Sequence, residues 1–255
     1  MTLQQVADLR EEGEALYGLL DTLTDEQWAM PTPFKNRTVN WVVRHLHDAD
    51  RWAVLSITDP DAYRGWAVKW IAGRRAYPSY PRGRPLLERW RADFLKLCDT
   101  LDASDPAVRI PWFGPDMSIR MMATARQMET WAHGQDVYDL VRVRRRNTDR
   151  IRNICVLGVR TYGWTFLNRE LDVPAPEPYV RLDAPSGAVW EWNDPSDTNC
   201  VMGSAVEFAH VVTQGRNIAD CNLTVVGETA NAWMRMAQCF AGEPQEPPAP
   251  GERAW

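Results

Sequence analysis

The sequence predicts a mostly helical protein, an N-terminal four-helix bundle followed by a small α/β C-terminal domain, and three observations carry that prediction. Apolar residues recur at helical spacing through about the first two thirds of the 255-residue chain. A Pro-rich run from Val173 to Pro178 then breaks the pattern. Beyond it the period becomes that of a strand, with Val180 and Leu182 before Pro185-Ser186-Gly187 and Val189 or Trp190 and Trp192 after it, a hairpin signal. With 45% hydrophobic residues the chain can fill one large core or two modest ones, and two are expected. Residues 1–173 form the bundle, 179–242 the α/β unit, and 243–255 a Pro-rich tail that is mobile or lies along the surface.

The first helix runs from about Leu3 to Leu23, because Val6, Leu9, Leu16, Leu19 and Leu20 share one face. Thr24 and Gln27 have the spacing of a capping box for a short helix through Trp28, which Pro31 and Pro33 end. Thr38 caps the next helix, whose apolar stripe of Val42, Val43, Leu46, Ala49 and Ala53 is interrupted by His45 and His47. A loop at Asp59, Pro60 and Asp61 leads into an aromatic segment with Tyr63, Trp66 and Trp70, then a Pro/Gly/Arg stretch from Pro78 to Pro85. Pro85 suits the first turn of a helix to about Leu101. After an irregular Ile110 to Pro115, Ser118 caps a long helix to about Val141 that carries Glu129 and His133. Asn147 or Thr148 caps a further helix from Asp149 to Leu171. In the remainder, Ser204 caps a helix to about Thr213, Leu223 to Val226 is a short strand, and a last helix spans Thr229 to Phe240.

Composition excludes several functions. A net charge of −5 argues against a nucleic-acid partner, since binding by counterion release needs a surplus of Lys and Arg on one face. Arg142, Arg144, Arg145 and Arg146 form a local exception, read as a solvated cluster at a helix C-terminus. No apolar run is long enough to span a bilayer and the first ten residues lack the pattern of a signal peptide, so no membrane partner and a cytoplasmic location are expected. The five cysteines are scattered without a Cys-x-x-Cys pair and read as reduced, mostly buried thiols. No Ser-His-Asp order, phosphate loop or dinucleotide fingerprint occurs.

What chemistry remains centres on histidine. Glu129 and His133 are four apart, so a helix projects them from one face, one turn apart. With His45 from another helix they offer two imidazoles and a carboxylate, a set that suits Zn²⁺ with one coordination position open, although Fe, Mn or Ni could use it. Asp136, three beyond His133, and Asp48, three beyond His45, stand where each could orient its imidazole from behind, and both equally fit a hydrated helix face. The residues alone also allow a plain Glu–His surface pair with a hydrogen-bonded core His45, and both readings stay open on spacing. His47 points away from His45 on a helix, and His210 reads as structural.

Two segments resolve this by likeness. Trp41-Val-Val-Arg-His45-Leu46 and Met128-Glu129-Thr130-Trp131-Ala132-His133-Gly134-Gln135-Asp136-Val137 resemble the DinB-like superfamily, specifically the mycothiol-dependent maleylpyruvate isomerase family of actinobacteria. Val201-Met-Gly-Ser-Ala-Val-Glu-Phe and Gly227-Glu-Thr-Ala-Asn-Ala-Trp-Met-Arg-Met-Ala-Gln look similar too, so the resemblance covers most of the chain. It implies a DinB-like metal-binding bundle in which His45, Glu129 and His133 are zinc ligands. It also implies an enzyme that uses a low-molecular-weight thiol, mycothiol, activated on the metal, to isomerise a small electrophilic acid, or an S-transferase where the thiol is retained. Arginines hold the substrate carboxylate in such proteins, which nominates Arg216 and, more weakly, Arg82; Gly215 departs from the basic residue expected beside the first. The alternatives are a metal-dependent hydrolase or biosynthetic isomerase or cyclase that needs no thiol, and a non-enzymatic metal-binding stress module.

Overall fold

Four long helices build the N-terminal part of the protein: α1 (Gln4–Leu20), α3 (Val39–Thr58), α5 (Arg84–Asp102) and α6 (Ile119–Val141). The computed structural model describes residues 3–73 and 79–253; Pro78, the start of the expected Pro/Gly/Arg stretch, lies outside the described residues. α1 packs on α5 and α6, and α3 packs on the same two. Their apolar stripes meet in one core, where Val6, Leu9, Leu16, Val42, Val43, Leu46, Trp90, Phe94, Leu97, Met122 and Val137 are buried. Gly13 sits inside α1 because a Cβ there would overlap the Phe94 ring, so the glycine sets how closely α1 and α5 approach.

The caps fall where the side chains offer them. Thr24 accepts from the Gln27 amide and its own amide donates to Gln27 Oε1, so the capping box forms and opens α2 (Asp25–Ala29). Thr38 Oγ1 accepts from Trp41 N at 3.2 Å to open α3, and Ser118 Oγ accepts from Met121 N at 3.2 Å to open α6. The segment after α3 is not a loop leading into an aromatic stretch: Asp59 caps a helix, α4 (Pro60–Ile71), by accepting from Ala62 N at 3.0 Å, with Pro60 at its first position. Between α5 and α6 a two-residue antiparallel ladder joins β1 (Arg109–Ile110) and β2 (Met117–Ser118) in a stretch expected to be irregular.

The chain divides into two units, Met1–Val143 and Arg144–Trp255, so the division falls before the Pro-rich run rather than at residue 173. The reason lies in the segment expected to be one helix from Asp149 to Leu171. It is a 3-10 turn, Asp149–Ile151, then α7 (Arg152–Arg160) and α8 (Tyr162–Leu167), broken at Thr161, whose hydroxyl donates back to Leu157 O at 2.8 Å. α7 belongs to the second unit because it packs on α9 (Ala205–Val212), so closely that a Cβ on Gly158 would lie 2.8 Å from Val212 Cγ2. The sheet of this unit has the order β4-β3-β5-β6, from β3 (Tyr179–Asp183), β4 (Val189–Trp192), β5 (Cys200–Ser204) and β6 (Thr224–Val226). The β3–β4 hairpin pairs Leu182 with Trp190, as the alternation predicts, while β3 and β5 run parallel. β5 runs straight into α9 without a turn signal, so pattern does not set it apart. Ser204 precedes α9 but makes no side-chain cap bond, and α10 (Glu228–Met236) ends before Phe240. The tail is fixed on the second unit: Gln245 N donates to Gln238 Oε1, Asn217 Nδ2 to Pro248 O, and Gly251 N to the Asp220 carboxylate. Among the described residues no helix is long and apolar enough to cross a membrane.

Candidate metal centre

α3 and α6 face each other in the first unit, and each offers donors to the same point. His45 projects from α3; Glu129 and His133 project from α6, one turn apart. Their donor atoms all lie within 4.8 Å of one another. His45 Nε2 is 3.3 Å from Glu129 Oε2, and His133 Nε2 is 3.5 Å from the same oxygen. Ligands about 2.1 Å from a tetrahedral ion stand about 3.4 Å apart, which the two histidine–glutamate distances match. Three protein ligands leave a fourth position for an exogenous group.

The charge state of the triad follows from burial set against mutual hydrogen bonding. Burial pushes His45 below the usual imidazole range, so its ring is neutral with a lone pair to offer. For Glu129, burial acts upward but the hydrogen bonds from His133 and His45 outweigh it and hold the carboxyl well below the usual range. For His133, burial acts downward, yet the hydrogen bonds to Asp136 and Glu129 prevail and raise it to about 9. Without a metal, a proton on His133 supplies the positive charge that Glu129 needs.

Other side chains fix the three candidate ligands. Asp136, buried on α6, sets its Oδ2 3.3 Å from His133 Nδ1, which leaves Nε2 directed at the triad. Asp48 takes a different partner: it is buried on α3 and accepts a short hydrogen bond from Tyr80 rather than serving His45. The His45 ring is backed by Trp41, stacked at 5.2 Å with an interplanar angle of 5°, and the edge of Phe34 meets His133 at 5.0 Å. Below the site, Arg126 of α6 donates to Asp50 of α3 at 2.9 Å, and Trp90 Nε1 donates to the other oxygen at 3.0 Å. That buried pair holds together the two helices that carry the triad.

Trp41, Phe34, Asp50 and Arg126 were not singled out from sequence. Trp41 stands four residues before His45, one turn away on the same helix face, and that spacing was the available signal. His47 is buried and bonded to Asp93 at 2.6 Å, away from the triad. Arg82 is exposed and lines a cavity of about 530 Å³ with Trp41, Asn40 and Arg44. Arg216 belongs to the second unit and is buried, its guanidinium donating to Gly215 O at 2.8 Å. Arg145, expected in a solvated cluster, is buried as well. Burial and the charges of Arg216, Arg145 and Arg253 together push His210 well below its usual range. Cys98, Cys155, Cys200 and Cys239 are buried free thiols, Cys221 is partly buried, and none belongs to the triad.

A helical bundle with a two-histidine, one-carboxylate cluster between facing helices defines the class. Residues 9–138 match the family model described as mycothiol maleylpyruvate isomerase N-terminal domain, and the chain belongs to that family. It is 38% identical over 246 residues to an uncharacterised protein of Mycobacterium tuberculosis, in strains CDC 1551 and H37Rv, covering 94% of this chain and 96% of the relative. The fold is similar to the crystal structure of the mycothiol-dependent maleylpyruvate isomerase, and to that of a histidine-to-alanine mutant of it. In each case the TM-score is 0.52 at 12% identity, covering 82% of this chain and 87% of the other.

Proposed function

We propose that the protein is a metal-dependent enzyme, with zinc as the ion, that uses a low-molecular-weight thiol such as mycothiol to isomerise or conjugate a small, electrophilic, acidic substrate. The observation that carries this reading is the convergence of His45, Glu129 and His133 within 4.8 Å, in a chain whose family is named for a mycothiol-dependent isomerase. A divalent ion held by His45, Glu129 and His133 would lower the pKa of a thiol bound to it and so supply thiolate without a protein base. The chain's own groups do the rest. Glu129 offsets one unit of the ion's charge, His45 contributes a neutral donor, and Asp136 keeps His133 in the tautomer that points Nε2 inward. Trp41 and Phe34 shield the imidazoles from water on their outer faces. The protein's cysteines take no part, since burial pushes Cys98, Cys155 and Cys221 upward, away from thiolate.

A substrate carboxylate calls for a guanidinium. Arg216 is the first candidate, with Arg145 and Arg253 near enough to add positive charge around it; Arg82, on the wall that Trp41 shares, is the second. The test is turnover of maleylpyruvate with and without mycothiol, by wild type and by His133→Ala. Thiol-dependent turnover lost together with metal in the variant is the expected result. Turnover that needs metal but no thiol would move the protein to a hydrolase or cyclase, and metal content undiminished in His133→Ala would overturn the site itself.

A further inference from the structure

The aromatic segment on α4 has no part in the metal centre, yet it walls a cavity of about 480 Å³ between α3, α4 and α5, a size that suits a small organic ligand. Trp66 and Trp70, one turn apart on α4, lean on Trp52 of α3 with ring centroids 4.5 and 4.7 Å away. The three indoles are only partly buried, so apolar ring surface faces the cavity. Trp52 lies seven residues beyond His45, two turns and about 10 Å along α3, and none of the triad lines this cavity.

The polar groups of the cavity decide the charge of its occupant. The acids are already engaged: Asp93 Oδ2 is 2.6 Å from His47 Nε2, and Asp48 accepts the short bond from Tyr80. The cations are held more loosely. Arg51 reaches Tyr80 Oη only at 3.5 Å and stands 4.0 Å from Asp93, while the Lys96 ammonium has no ion pair among the described residues. Donor capacity therefore remains on Arg51 and Lys96, beside an aromatic face.

We infer that this cavity is a second ligand site, for a planar aromatic carboxylate whose ring packs against Trp52 and Trp66 and whose carboxylate meets Arg51 and Lys96. The reading stands apart from the proposed metal chemistry and is tested apart from it. Calorimetric titration of the full protein with 2-naphthoate, 2-naphthamide and 2-naphthylmethylamine compares one ring with an anionic, a neutral and a cationic head. The acid is expected to bind one per chain and at least tenfold more tightly than either other probe, because a charge-assisted contact is worth about that factor. Lys96→Ala should remove most of that preference, and, because Lys96 is exposed, it leaves the fold in place. Trp66→Ala should weaken acid and amide alike. Binding of the acid should persist in His133→Ala, which separates this cavity from a carboxylate on the metal. No saturable binding of the acid, tighter binding of the amine, an undiminished preference in Lys96→Ala, or loss in His133→Ala would each overturn the inference.

Discussion

Asp136 holds His133 from behind, Oδ2 to Nδ1 at 3.3 Å, and both residues ride on one turn of α6. The carboxylate is buried, so the contact is protected from water and fixes the ring. Groups in this position typically contribute one to two orders of magnitude in metal affinity. Asp136→Ala is expected to weaken zinc binding about 10- to 100-fold while leaving the three ligands in place. Competition against a chelator measures it, and an affinity within threefold of wild type would refute the role.

Metal binding should depend on pH through His133. A proton must leave Nε2 before an ion can take its place, and that imidazole titrates at about 9. Its folded value lies above the unfolded one, so its contribution to the metal-free fold is fully present below about 6.5 and lost as pH rises through 9. Zinc affinity should therefore climb by about tenfold per unit from pH 7 toward 9, while Glu129 stays ionised throughout. A flat affinity over that range would show that His133 carries no proton to displace.

Arg126 and Asp50 clamp the helices that carry the triad, and both are almost fully buried. Removing one partner strands the other's charge, which costs about 3–5 kcal/mol. Arg126→Met should lower the unfolding free energy by that amount in urea, and adding Asp50→Leu should recover most of it. A loss below about 1 kcal/mol from the single substitution would mean that the pair is solvated.

Much of the first unit was legible because its signals are local. Thr24, Thr38 and Ser118 cap helices through bonds to residues three ahead, and Glu129 and His133 obey the helical period, whereas His45 on another helix joined them only through the family resemblance. What was missed depends on contacts distant in sequence. Asp48 turns to Tyr80, 32 residues away, and Asp50 to Arg126, 76 away; neither pairing leaves a mark on local spacing. α4 was lost to a different cause, since Asp59-Pro60-Asp61 satisfies a turn as well as a helix start and only the cap bond to Ala62 decides. The division between the units differs because α7 and α8 look like a continuation of the bundle, and their partners, α9 for α7 and α10 for α8, lie far down the chain.

Arg216→Lys tests the anion-binding side of the proposed function. A forked guanidinium matches a carboxylate with two parallel hydrogen bonds, and an ammonium on a flexible stem does not. If Arg216 meets the substrate, the substitution should cost about 1.5–3 kcal/mol in kcat/KM with metal content unchanged. A residue that only bridges Gly215 O and its surroundings would show instead as lost stability with kcat/KM retained in the folded fraction. Steady-state kinetics beside thermal unfolding separates the two, and retained kcat/KM would pass the role to Arg82.

The second unit should be acid-labile through His210. The ring is fully buried on α9, and burial, aided by the charges of Arg216, Arg145 and Arg253, keeps it neutral well below its ordinary range. The folded-state value is depressed, so above about 6.5 the group costs nothing, and below it the unfolded chain gains a proton that the folded one cannot hold. Stability then falls with pH by about 1.4 kcal/mol per unit below 6.5, a sign opposite to that of His133 in the other unit. Because carboxylates also titrate at low pH, the informative quantity is the difference between wild type and His210→Gln, an uncharged replacement. Between pH 6.5 and 5 the variant should lose about 2 kcal/mol less than wild type in urea unfolding of the second unit. Parallel pH profiles for the two proteins would show that His210 is protonated in the folded state and that the arginines around it are not a barrier to its charge.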